Sequence, residues 1–135
     1  MTSQVFYEGD LRTTCTHLAS NQSIITDAPL DNHGKGEAFS PTDLAATSLA
    51  TCMLTVMGIY AQSRNIVIDG SYAHIQKIMA NNPRRIAEIQ VDIFINNNAL
   101  SDKERMQLEQ IGLNCPVAKS LHPDIMQQVN FSYPA

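Results

Sequence analysis

Residues Ser40 to Leu54 read SPTDLAATSLATCML. Ser40 suits a helix N-cap, Pro41 the first helical position, and Asp43 the carboxylate of a capping box. That carboxylate also meets the favourable end of the helix dipole. From Leu44 on, apolar residues fall on nearly every side: Leu44, Ala45, Ala46, Leu49, Ala50, Met53, Leu54, Val56, Met57, Ile59 and Tyr60. A helix apolar all round is normally buried all round, so a central core helix is expected, ending near Arg64-Asn65. Thr47, Ser48, Thr51, Thr55 and Gly58 interrupt the run, which argues for a core helix rather than a membrane span.

Ahead of this helix the pattern predicts a small meander of strands at Gln4 to Tyr7, Leu11 to Leu18 and Ser23 to Thr26. Gly9-Asp10 and Ser20-Asn21 mark the turns. Asp27 to Phe39, DAPLDNHGKGEAF, is a loop long enough to be functional. Behind the helix, Ser71 to Met79 and Ile86 to Ile95 form a hairpin across Asn81-Asn82-Pro83. Its second arm alternates, with Ile89, Val91, Ile93 and Ile95 on one face. Ser101 and Glu104 open a further helix with a second capping box, and Leu108 and Ile111 form its buried stripe. A short helix begins at Cys115-Pro116, and Ile125 to Tyr133 is a closing strand. These elements predict one α+β domain over residues 1–135, with a curved antiparallel sheet covered by the Cys52 helix.

The 135 residues are 44% hydrophobic and 16% charged, with net charge -4 and pI near 5.4. That composition suits a globular chain with a real core and argues against a nucleic-acid partner. The start, MTSQVFYEGDLRTT, lacks a basic stretch followed by a long apolar one, so no secretory signal is expected. Three cysteines without such a signal predict a reducing cytoplasm, where a disulfide would be transient.

Cys52 lies too far into its helix for the N-terminal dipole to act on it. Its neighbours three and four residues away are Ser48, Leu49, Thr55 and Val56, none of them charged. Burial alone makes a thiol inert, so a reactive Cys52 needs a cation from another element or another chain. Arg12 and Lys35 are the basic candidates. Without such a cation, Cys52 is a small core residue. Cys115, at the start of a helix, sits where a thiolate would be favoured. Cys15 has no evident partner. Cys15 and His17 are half of a metal pattern with no second half, and GKG at Gly34 to Gly36 is too short for a phosphate loop. No metal or cofactor is expected.

Two segments resemble the OsmC/Ohr family, the osmotically inducible and organic hydroperoxide resistance proteins. SPTDLAATSLATCML is similar to the family's alanine-rich helix ending at a reactive cysteine, and NCPVAKSL, Asn114 to Leu121, to its second-cysteine segment. YEGDLRTT and TDAP fit its early hairpin. The resemblance implies an OsmC-like fold and an intertwined homodimer with sites at the interface. It implies a thiol peroxidase that reduces hydroperoxides without haem, flavin or metal, while the interrupted apolar helix predicts no membrane partner. Cys52 would be the peroxidatic thiolate, Cys115 the resolving thiol, Arg12 the activating cation and an external dithiol the reductant. One departure stands out. The family's glutamate after the motif proline is replaced by Thr42, which leaves Asp43 or Glu37 as substitutes for pairing with the arginine. A redox sensor, or a binding protein for an apolar ligand with Cys52 as lining, are the alternative readings.

Overall fold

The computed structural model describes residues 1–135. The chain packs as two compact units, Met1–Ala45 and Ala46–Ala135. The first holds an antiparallel meander of β1 (Ser3–Gly9), β2 (Arg12–His17) and β3 (Gln22–Asp27). Asp10 and Leu11 form the first turn with φ of 53° and 65°. Two left-handed residues match the strand twist in a two-residue hairpin. That geometry takes Leu11 out of the strand expected at Leu11 to Leu18. A loop with a short 3-10 turn at Leu30–Asn32 leads to Ser40.

The capping box forms as expected. Asp43 N–H donates to Ser40 Oγ at 3.1 Å, and Ser40 N–H donates to Asp43 Oδ2 at 3.0 Å. Helix α1 (Pro41–Ser63) follows. Its far end closes on Asn65 in the left-handed conformation (φ 56°). Ile66 N–H donates to Ala61 O at 2.9 Å and Asn65 N–H to Gln62 O at 3.3 Å. This pair of backward bonds satisfies carbonyls that a helix end leaves open.

The second unit is built on α1. Ala46, Leu49, Ala50, Met53, Met57 and Ala61 are each at most 2% exposed. Their spacing of three and four marks one stripe. Thr51, Thr55 and Ile59 on another side are exposed. The expectation of burial all round is therefore corrected: within this chain α1 buries one face. Its 18-residue apolar stretch has the mean hydropathy of a membrane span, 1.6, but the buried stripe belongs to a protein core.

Against that core lie β4 (Tyr72–Ala80), β5 (Arg85–Phe94) and β6 (Met126–Ser132), in the order β4-β5-β6. Ile89, Val91, Ile93 and Ile95 are fully buried, as the alternation predicts. β4 pairs antiparallel with β5, but β6 runs parallel to it, so this sheet is mixed rather than antiparallel throughout. The connection explains the direction. A parallel neighbour needs a crossover, and here it holds α2 (Asp102–Leu113) and α3 (Pro116–Ser120). Ser101 and Glu104 cap α2 reciprocally, and Leu108 is fully buried while Ile111 is only partly so.

Candidate active site

In the second unit, α1 and the α2–α3 junction each present a thiol. Cys52 is half-buried and follows the exposed Thr51 on α1; Cys115 is 1% exposed. The two thiols are near enough that the Cys52 sulfur perturbs the Cys115 thiol. Cys115 is held there by local geometry. Asn114 closes α2, Cys115 N–H donates to Gly112 O at 3.2 Å, and Pro116 starts α3.

Cys115 is the N-cap of α3, and its Sγ accepts the Ala118 N–H at 3.4 Å. This contact favours a thiolate, as expected from the sequence. Burial opposes it and wins. Desolvation pushes the Cys115 thiol up, the Ala118 N–H offsets only part of the rise, and the Cys52 sulfur adds to it. Burial therefore disfavours the thiolate expected at Cys115 from its place at the helix start.

The first unit carries a charged cluster. Arg12 opens β2 and Asp27 closes β3, and the register places them directly opposite each other. Arg12 Nε donates to Asp27 Oδ1 at 2.7 Å and Nη2 to Oδ2 at 2.8 Å, a two-pronged fork. The Glu37 N–H donates to Asp27 Oδ2 at 3.1 Å. Asp27 is only 1% exposed. Even so, hydrogen bonding from Arg12 holds its carboxyl below the usual carboxylate range, against the opposing effect of burial. The same bond raises Arg12 above the usual guanidinium value.

The loop has its own reasons for this shape. Gly34 N–H donates to Pro29 O and Gly36 N–H to Ala28 O. A Cβ at Gly34 would overlap Ala28 O, at 1.7 Å, so the loop closes this tightly only with glycine there.

The expected carboxylates fall as follows. Asp43 caps α1. Glu37 reaches Arg12 Nη2 only at 3.7 Å and is 64% exposed. Thr42 Oγ1 lies 3.3 Å from Ser40 Oγ. The carboxylate that grips Arg12 is Asp27, which the motif did not single out. Lys35 is exposed and adds a weaker attraction to Asp27. Cys15 lies 3.8 Å from Thr13 Oγ1 in the first unit. No group of three or more His, Cys, Asp or Glu residues is placed to hold a metal.

A meander carrying a forked arginine–aspartate pair, and a long core helix with a thiol near a second thiol, define an α+β protein with paired cysteines. The chain belongs to the OsmC-like protein family, which it matches over residues 34–129. It is similar to a crystal structure from Psychrobacter arcticus, provisionally named an osmotic-stress-induced and detoxification response protein. That likeness has 56% identity over 97% of this chain and 95% of the other, with a TM-score of 0.94. An OsmC-like protein of Mycoplasma pneumoniae shares the fold at 18% identity, with 98% and 96% coverage and a TM-score of 0.81. The organic hydroperoxide resistance protein OhrB of Bacillus subtilis does so at 17% identity, with 98% coverage of each chain and a TM-score of 0.71. No curated protein sequence matches this chain.

Proposed function

We propose that this protein reduces hydroperoxides through a Cys52 thiolate and a transient Cys52–Cys115 disulfide. The observation that carries the reading is a pair of free thiols, one half-buried and one buried, on different elements of one unit and near enough for Cys52 to perturb Cys115. Fold likeness to hydroperoxide resistance proteins supports it.

In the first step the Cys52 sulfur attacks the terminal peroxide oxygen. The O–O bond breaks, the alkoxide takes a proton and leaves as alcohol, and Cys52 becomes a sulfenic acid. In the second step the Cys115 thiol attacks that sulfur. Its proton leaves with the hydroxyl as water, and the disulfide closes. An external dithiol returns both cysteines to thiols and is itself oxidised. Burial keeps Cys115 protonated and out of the first step. Arg12 is the activating cation in this reading. Stress-related detoxification in a reducing cytoplasm is its setting, in keeping with the name of the Psychrobacter arcticus relative.

The working form is a homodimer. Its support is the sheet of the first unit, where Val5, Phe6 and Tyr7 are 61–63% exposed and Ile24 and Ile25 at least 40%. Val5, Tyr7 and Ile24 share one face and Phe6 and Ile25 the other, and apolar exposure on both faces of a sheet marks an interaction surface.

The test is consumption of cumene hydroperoxide with dithiothreitol as reductant. Turnover is expected in the wild type and absent in Cys52→Ser. Wild-type turnover no faster than the mutant's would sink the reading. Mass spectrometry after one equivalent of hydroperoxide is expected to find Cys52 joined to Cys115.

A further inference from the structure

Asp27 is a buried carboxylate with three donors on its two oxygens. Nε of Arg12 fills Oδ1, while Nη2 and the Glu37 N–H fill Oδ2. A buried charge is tolerated only when it is paired and hydrogen-bonded in this way. Each contact fixes a different part of the cluster. The fork sets the plane of the guanidinium, and the Glu37 amide ties the loop to the strand. Glu37's own carboxylate is mostly exposed and 3.7 Å away. An exposed ion pair of that length does not hold a long side chain in one pose.

The fork spends one edge of the guanidinium and leaves another. Arg12 has five N–H donors in a rigid plane. Nε and Nη2 are engaged with Asp27, and both Nη1 donors meet no acceptor in this chain. We propose that Asp27 is the positioning residue for Arg12, locking its Nε–Nη2 edge so that the Nη1 edge is presented to the peroxide oxygens. In this chain Asp27 does what a glutamate at the position of Thr42 would otherwise do.

Charge alone points the other way. A carboxylate in contact with the activating cation weakens its field, so on electrostatics Asp27 hinders the reaction. Its presence makes chemical sense if orientation outweighs neutralisation. The two effects therefore predict opposite signs for its removal.

The proposal rests on the reading of Arg12 as activating cation, and the experiment separates the two. Second-order rates with cumene hydroperoxide are compared for wild type, Asp27→Asn, Arg12→Lys, Arg12→Ala and Arg12→Ala/Asp27→Asn. Circular dichroism checks that each is folded. Asp27→Asn is expected to slow the reaction by on the order of ten- to a hundredfold, the scale of misplacing a catalytic group by about 1 Å. Arg12→Lys keeps the charge and the exposed stem but cannot make the fork. It is expected to lose a similar factor, and it tests the proposal even if Asp27→Asn does not fold. In the Arg12→Ala background, Asp27→Asn is expected to change the rate no further, which a purely structural role would not produce.

A faster Asp27→Asn, an Arg12→Lys as fast as wild type, or a further loss in the double variant overturns the positioning role. If Arg12→Ala itself reacts at the wild-type rate, the reading of Arg12 fails instead, and Asp27's role with it.

Discussion

Two helical glycines invite the same substitution and are expected to answer it with opposite signs. A Cβ added at Gly112 on α2 would lie 2.8 Å from Met57 Sδ, 3.2 Å from Met57 Cγ and 3.8 Å from Met53 Cε. Comfortable nonbonded contacts fall at about 3.5–4.0 Å, so Met57 has to give way by most of an ångström. It has nowhere open to go, being fully buried on α1. Overpacking of this kind costs about 1–3 kcal/mol. Alanine repays about 1 kcal/mol of helix propensity. The net expectation for Gly112→Ala is a loss of about 1 kcal/mol, or about 4 °C in Tm for a chain of this size. A Cβ at Gly58 on α1 meets nothing within 4 Å, so Gly58→Ala is expected to gain about 0.5–1 kcal/mol. Thermal unfolding followed by circular dichroism at one protein concentration reads both. Gly112→Ala as stable as Gly58→Ala would refute the reasoning. Gly112 also bears on the site: its carbonyl holds the Cys115 amide, and Met53 adjoins Cys52. Disulfide closure after one equivalent of hydroperoxide is therefore expected to be slower in Gly112→Ala.

Ile93→Ala empties a fully buried site on β5 and is expected to cost about 2–5 kcal/mol in urea unfolding; a loss under about 1 kcal/mol would show that this face is not packed. Asp27 has a depressed folded-state value, so its stabilisation is fully present above its unfolded value near pH 4 and is lost as pH falls through the folded one. Between pH 5 and 2, roughly the window where carboxylates titrate, Asp27→Asn is therefore expected to lose less stability than wild type, and equal slopes of urea midpoint against pH would contradict this. Glu104 is lowered chiefly by its bond from the Ser101 amide, which Ser101→Ala keeps, so that variant loses only the hydroxyl that accepts the Glu104 N–H and is expected to cost about 1 kcal/mol in urea unfolding. Cys115→Ser places a hydroxyl where the Ala118 N–H is already offered; it is expected to fold, to accumulate a Cys52 sulfenic acid trappable by a cyclic diketone, and to form no internal disulfide.

Most of the fold was legible because local chemistry and tertiary structure agree. The capping boxes at Ser40 and Ser101 and the alternation from Ile89 to Ile95 are each written within a few residues. What was not legible depends on distant partners. The parallel direction of β6 follows from where α2 and α3 carry the chain, not from the strand's own pattern. The exposed side of α1 was hidden because apolar composition records what a surface prefers, not what covers it. At Cys115 the sequence showed the helix start, but burial outweighs it, and burial is a property of the packed unit.

The partner of Arg12 shows the same limit from the other side. Reading from the motif directed attention to carboxylates near Thr42, namely Asp43 and Glu37. Asp43 was already called for by the cap on α1, a demand the sequence shows plainly, and its side chain answers that demand in the fold. The signal for Asp27 lay in strand register. The turn between β2 and β3 pairs His17 with Gln22, and counting outward from it pairs Arg12 with Asp27. Directly opposed residues on antiparallel strands have neighbouring side chains on one face, so a cation and an anion at matching positions are bound to meet. Fifteen residues separate them in the chain, yet the hairpin makes their pairing local. A pairing specified by a short hairpin does not depend on what stands at position 42. It follows that Thr42→Glu would supply Arg12 with nothing that Asp27 does not already give it. That variant is expected to leave peroxide turnover unchanged or lower it, and a clear gain would show that the fork to Asp27 is not what orients Arg12.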